Sequence, residues 1–151
     1  MKRFAFRLER LLQLRELAER EQARQVAVAL REEESRREAL RQSEVRLAEA
    51  RAQYATTPRE LSQAGTLQNL ELTVLALVEQ SRALSETHEH SLERLEVERH
   101  AFDQARMARR VIERLREQRE EAWSGEFSRH EQSVSDETAI QRAQPGRKEG
   151  M

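Results

Sequence analysis

A chain of 151 residues that is 36% charged, 37% hydrophobic and only 4% aromatic cannot fill a thick globular core, although it can fill a narrow seam. Its 27 basic and 28 acidic residues leave a net charge of -1, which removes any bulk attraction to nucleic acid or to an anionic membrane. Cysteine is absent, so disulfides and thiolate metal sites are excluded and a reducing, cytoplasmic setting is expected.

The opening MKRFAFRLERLLQLR starts positive, as a signal peptide does, but Arg7, Glu9 and Arg10 interrupt its apolar residues and leave no h-region. Phe4, Leu8, Leu11, Leu12 and Ala18 instead fall on one face of a helix. With Phe6, and with Lys2, Arg3, Arg7 and Arg10 around them, they are compatible with at most peripheral membrane contact. One end of a helical seam is the reading preferred. The stripe then thins to Val26, Leu30, Leu40, Leu47 and Tyr54, with Glu33 interposed. Val26, Glu33, Leu40, Leu47 and Tyr54 are spaced by seven. The pattern predicts a helix over residues 4–54 that is marginal alone and holds when packed on another.

A break is expected over residues 55–66. Thr57 reads as an N-cap, Pro58 as the first helical residue and Glu60 as the reciprocal capping group. Gly65 and Thr66 offer a second restart a turn later. A connection this short makes its two helices antiparallel neighbours.

The second helix is predicted over 67–123, continuing or fraying to about residue 142. In heptads, the a positions are Leu67, Val74, Ser81, His88, Leu95, Phe102, Arg109, Arg116 and Trp123. The d positions are Leu70, Leu77, Leu84, Ser91, Glu98, Ala105, Ile112 and Arg119. Apolar residues dominate both ends, with a polar waist between. An apolar seam of this spacing on a helix of ~85 Å requires a partner helix. Its longest apolar run, Val74 to Val78, is far short of the roughly 18 residues of a membrane span. Ser124-Gly125 is a plausible break, and residues 144–151 read as a disordered tail. The expected fold is all-α: a single antiparallel two-helix coiled-coil hairpin over 1–143, rod-like and monomeric. With Tyr54 facing Leu67, Leu47 meets Val74, Leu40 meets Ser81, Glu33 meets His88, Val26 meets Leu95 and Leu12 meets Arg109.

Catalytic chemistry is not legible. His88 and His90 point roughly 200° apart on a helix, which is wrong for a shared metal. No phosphate loop, nucleophile elbow or dinucleotide fingerprint is present, so neither an enzyme nor a cofactor is expected. The cluster Arg106, Arg109, Arg110, Arg114, Arg116 and Arg119, interleaved with Glu113 and Glu117, reads as an ion-paired solvated face. Its functional alternative is an anchor for an acidic or phosphate-bearing partner. Nucleic acid is not expected, because aromatic interleaving is missing.

Several stretches together resemble the FliJ family of the bacterial flagellar type III export apparatus. FAFRLERLLQLRELAEREQA is similar to the family's opening, and Tyr54 sits where the family has a Leu–Tyr arrangement near the hairpin tip. RRVIERLREQREEAW and the closing Glu131, Gln132, Asp136, Glu137, Ala139 and Arg142 resemble its late segments. The resemblance implies a non-enzymatic stalk, cytoplasmic and peripheral at the inner face of the cell membrane, serving flagellum biogenesis and hence motility and chemotaxis. The implied partners are the hexameric export ATPase, the cytoplasmic domain of the export gate and export chaperones. It further implies gate contact through Leu47, Tyr54, Leu70, Val74 and Leu77, and ATPase-ring contact through Phe4, Leu8, Arg109, Ile112 and Leu115. The sequence departs from the family at Leu70, often an aromatic, and at Ala50, often a second tyrosine. A generic cytoplasmic coiled-coil scaffold, or the equivalent stalk of a virulence type III system, is the alternative.

Overall fold

A computed structural model describes residues 3–60 and 63–143. Helix α1 spans Glu9–Thr56 and helix α2 spans Ala64–Ala143, with no strand among the described residues. Both are rich in Ala, Leu, Glu, Gln and Arg, the residues that lose least on entering a helix. Local ion pairs line their exposed faces, including Glu21–Arg24 and Glu79–Arg82–Glu86. At Glu38 the bidentate bonds from Arg41 (2.9 and 2.7 Å) and a third from Gln42 hold the carboxyl down at about 2. The fold is all-α and the helices pair antiparallel, as each unit below shows in its own contacts.

The chain divides into two compact units. The tip unit is Ala18–Ala105; the terminal unit joins Met1–Leu17 to Arg106–Met151. In the tip unit, Glu32 accepts from Arg94 (2.6 Å), Glu33 meets His88 (3.0 Å) and Ser43 meets Ser81 (2.8 Å). Numbers fall along α1 as they rise along α2, which defines an antiparallel hairpin. Every a and d position of α2 from Leu67 to Ala105 is buried or half-buried.

On α1 the series Val26, Glu33, Leu40, Leu47 and Tyr54 is also covered. A second series, not legible as a stripe, runs through Gln22, Ala29, Ser43 and Ala50, of which the last three are buried. Their small side chains leave room for the bulk of α2. Leu30, counted above as part of the stripe, is exposed.

The register differs from the one expected. Ser81 pairs with Ser43, about one helical turn beyond Leu40. Glu33 still reaches His88, so the expected polar layer forms, but as a diagonal contact between neighbouring layers. The imidazole Nε2–H donates to Glu33 Oε1, because an ionised carboxylate can only accept. Ser91 Oγ donates to the His88 carbonyl (2.6 Å).

At the turn, Thr57 does not start a helix. Its hydroxyl donates to the Gln53 carbonyl (2.6 Å), and that of Thr56 to the Ala52 carbonyl (2.9 Å). Both hydroxyls fold back onto carbonyls three to four residues earlier in the last turns of α1, the local side-chain bonding that Ser and Thr favour. Pro58 lies in the connection, and α2 starts at Ala64, close to the second restart site. Residues 61–62 of the expected break lie outside the described residues, as does the expected tail from 144 onward.

In the terminal unit α1 begins at Glu9 rather than Phe4. Residues 3–8 are non-helical because Phe4 folds onto Trp123, with ring centroids 6.0 Å apart. The Glu9 N–H donates to the Phe6 carbonyl (3.1 Å) as the chain enters the helix, and the Glu9 carboxylate faces Arg116 (3.4 Å). That pairing is again offset from the expected one, which set Leu12 against Arg109. α2 passes Gly125 without a break; no glycine here has positive φ, and Arg129 donates to the Gly125 carbonyl (3.2 Å). From residue 128 to 143 every residue is exposed.

The Glu33–His88 pair generates a stability prediction. The two side chains are only 7% and 17% exposed. His88→Ala leaves the carboxylate with only the distant Arg37 (3.9 Å) and should destabilise the protein by about 1–3 kcal/mol in urea denaturation. Replacing both residues with Leu should restore or exceed wild-type stability. Equal stability of wild type and His88→Ala would show that the pair carries no structural weight.

Candidate functional site

The candidates are surfaces, and one in each unit is considered. Near the tip, α2 carries LELTVLALV over residues 70–78, in which Glu71 and Thr73 are the polar residues and Val74 to Val78 form an unbroken apolar run. A run of that kind is normally covered all round, yet here only α1 faces it. Leu70, Val74 and Leu77 are half-buried against the seam, as are Leu47 and Tyr54 on α1. The side chains left open are Leu72 and Leu75, each 58% exposed, and Val78. Heptad assignment selects the inward set and passes over the outward one. The unbroken apolar run was the signal that could have found it.

The terminal unit offers a concave surface. Ala5, Phe6, Arg7 and Leu8 from the N-terminal segment and Leu115 and Arg119 from α2 line a hollow of about 320 Å³. Its floor is apolar (Phe6, Leu8, Leu115) and two exposed guanidinium groups stand at its rim. Beside it Phe4 leans on Trp123, and Trp123 stacks on Phe127 at 5.3 Å. Of the residues expected from the sequence at the ATPase ring, Leu8 and Leu115 share the hollow. Phe4 is half-buried against Trp123, Ile112 is half-buried, and Arg109 donates to Glu113 (2.6 Å). Trp123 completes this surface and was not singled out as a contact residue from the sequence, whereas Phe6 and Arg7 were noted for membrane contact and Arg119 within the alternative anchor for an acidic partner.

Over residues 4–148 the sequence matches the family model described as Flagellar FliJ protein. The chain belongs to the FliJ family. No curated protein and no solved structure matches it. FliJ proteins are components of the flagellar type III export apparatus, and this chain is therefore one. Both surfaces are helical faces with apolar side chains and charged surrounds, the make-up that helix-based recognition uses. Among the described residues no helix is long and apolar enough to cross a membrane, and no cluster of His, Asp and Glu is arranged to hold a metal ion.

The aromatic stack predicts a graded loss. Trp123→Ala removes two ring contacts from a half-buried site and should cost about 1–2 kcal/mol by circular dichroism melting, with helix content otherwise retained. No change in melting would mean that the N-terminal segment is not held by Trp123.

Proposed function

We propose that this FliJ-family chain is a non-enzymatic stalk and adaptor that couples the export ATPase ring to the export gate and escorts export chaperones. It acts in the cytoplasm, peripherally at the inner face of the cell membrane. The family match over residues 4–148 carries this reading, and its flagellar description favours a flagellar over a virulence system. Two long paired helices are consistent with it, because they present long side-chain surfaces. The ring would meet the terminal unit at Phe4, Leu8, Arg109, Ile112 and Leu115. The gate would meet the tip unit at Leu47, Tyr54, Leu70, Val74 and Leu77.

Two measurements test the reading. Titrating the chain into purified export ATPase should raise ATP turnover or promote ring assembly, while the chain alone hydrolyses nothing. A flat titration counts against the stalk role. At the tip, Tyr54→Ala should leave the melting temperature nearly unchanged and weaken binding to the gate's cytoplasmic domain about tenfold, or ~1.4 kcal/mol. A lowered melting temperature with binding intact would reduce Tyr54 to a seam residue, closing the hairpin and nothing more.

A further inference from the structure

The charge of this chain is near zero only as a sum. Residues 3–17 and 106–119 carry ten Arg and four Glu, residues 120–143 two Arg and six acidic residues, and residues 18–105 twelve Arg and seventeen acidic residues. Within the ten, Arg116 pairs with Glu9 and Arg109 with Glu113. None of the other eight makes an ion pair with a described residue. Elsewhere half of the Arg side chains of residues 18–105 are paired: Arg24, Arg37, Arg41, Arg82, Arg94 and Arg99. In the Arg-rich segment Arg109 and Arg116 are ion-paired, while Arg106, Arg110, Arg114 and Arg119 stand exposed. A further polar atom there, Arg116 Nε, is buried and has no hydrogen-bond partner.

We propose that the hollow between the N-terminal segment and α2 in the terminal unit is a docking site for an acidic segment of a protein partner, one that offers a carboxylate beside a large apolar side chain. The apolar side chain would enter over Phe6, Leu8 and Leu115 while the carboxylate meets Arg7 or Arg119 at the rim. Guanidinium forks suit this role: they bind carboxylates bidentately and lose less hydration than an ammonium does. The surrounding unpaired Arg side chains would speed encounter with an acidic partner, and more so at low salt. A protein segment is favoured over a lipid surface. The hollow is concave and holds one or two side chains, and the nearby rings of Phe4, Trp123 and Phe127 pack on each other instead of standing free for a bilayer. The inference rests on the proposed function only for which partner supplies the segment.

A library of random dodecamer peptides displayed on phage, panned against the full-length chain, tests this without assuming a partner. Selected peptides should be enriched in Asp or Glu next to Leu, Ile or Phe. Binding of the best synthetic peptide, followed by fluorescence anisotropy, should weaken at least about tenfold in Arg7→Glu/Arg119→Glu and also as salt is raised from about 0.05 to 0.3 M. Leu115→Ala, chosen because it shrinks the floor without altering charge, should weaken it severalfold. Melting curves of each variant establish that the helices are intact. Enrichment of neutral or basic peptides, or equal affinity for the double variant, overturns the proposal. So does flotation of the chain with phosphatidylglycerol vesicles when no acidic peptide is selected, which would make the hollow a lipid site. Failure to stimulate the ATPase while acidic peptides bind leaves this site standing and removes only the proposed owner of the segment.

Discussion

A seam one residue pair wide leaves two helices little to align them, and the polar pairs in the middle of the tip unit supply what is missing. Only Leu12, Ala29, Ala50 and Leu95 are buried apolar residues among those described; the rest of the seam is half-covered. Leu, Val and Ala against one another at half coverage are nearly as content a turn further along. Ser43–Ser81 and Glu33–His88 are not, because a slip would bury a carboxylate or a hydroxyl without a partner. Each such loss costs about 1–3 kcal/mol, a large share of what a two-helix protein has. Alignment is therefore set by polar groups, and apolar burial supplies the adhesion.

The same narrowness shapes how the chain can recognise other molecules. A two-helix seam cannot enclose a ligand, so specificity has to come from side chains on outward faces and from charge. The tip unit, with an acidic excess, exposes Leu72, Leu75 and Val78. The terminal unit combines an Arg excess over residues 3–17 and 106–119 with an apolar hollow. These are different chemistries, and they suit different partners. Both belong to a component of the flagellar export apparatus.

Much of this was legible in the residues, for a physical reason in each case. The heptads of α2 could be followed from Leu67 to Ile112 because large apolar or distinctive polar residues occupy both series, and all of those positions are covered; Arg119 is where the pattern runs out. On α1 only the Val26–Tyr54 series stood out. Its companion is made of Ala29, Ser43 and Ala50, small residues that carry no hydrophobic signal yet are buried in the seam. Missing that series shifted the register by about a turn. Thr57-Pro58 looks like a helix start from local rules, but the Thr57 hydroxyl bonds back to the Gln53 carbonyl at the end of α1 instead. The terminal surface depended on Phe4 leaving the helix for Trp123, a contact between residues far apart in sequence that no periodicity encodes.

The alignment of the helices is most directly tested by crosslinking, and a chain without cysteine gives a clean background. Ser43→Cys/Ser81→Cys, whose parent hydroxyls lie 2.8 Å apart, should oxidise to an intramolecular disulfide that keeps the chain monomeric on a non-reducing gel. Leu40→Cys/Ser81→Cys, the pair implied by heptads alone, should remain largely reduced under the same conditions. Preferential oxidation of the Leu40 pair, or disulfide-linked dimers from the Ser43 pair, would contradict the account.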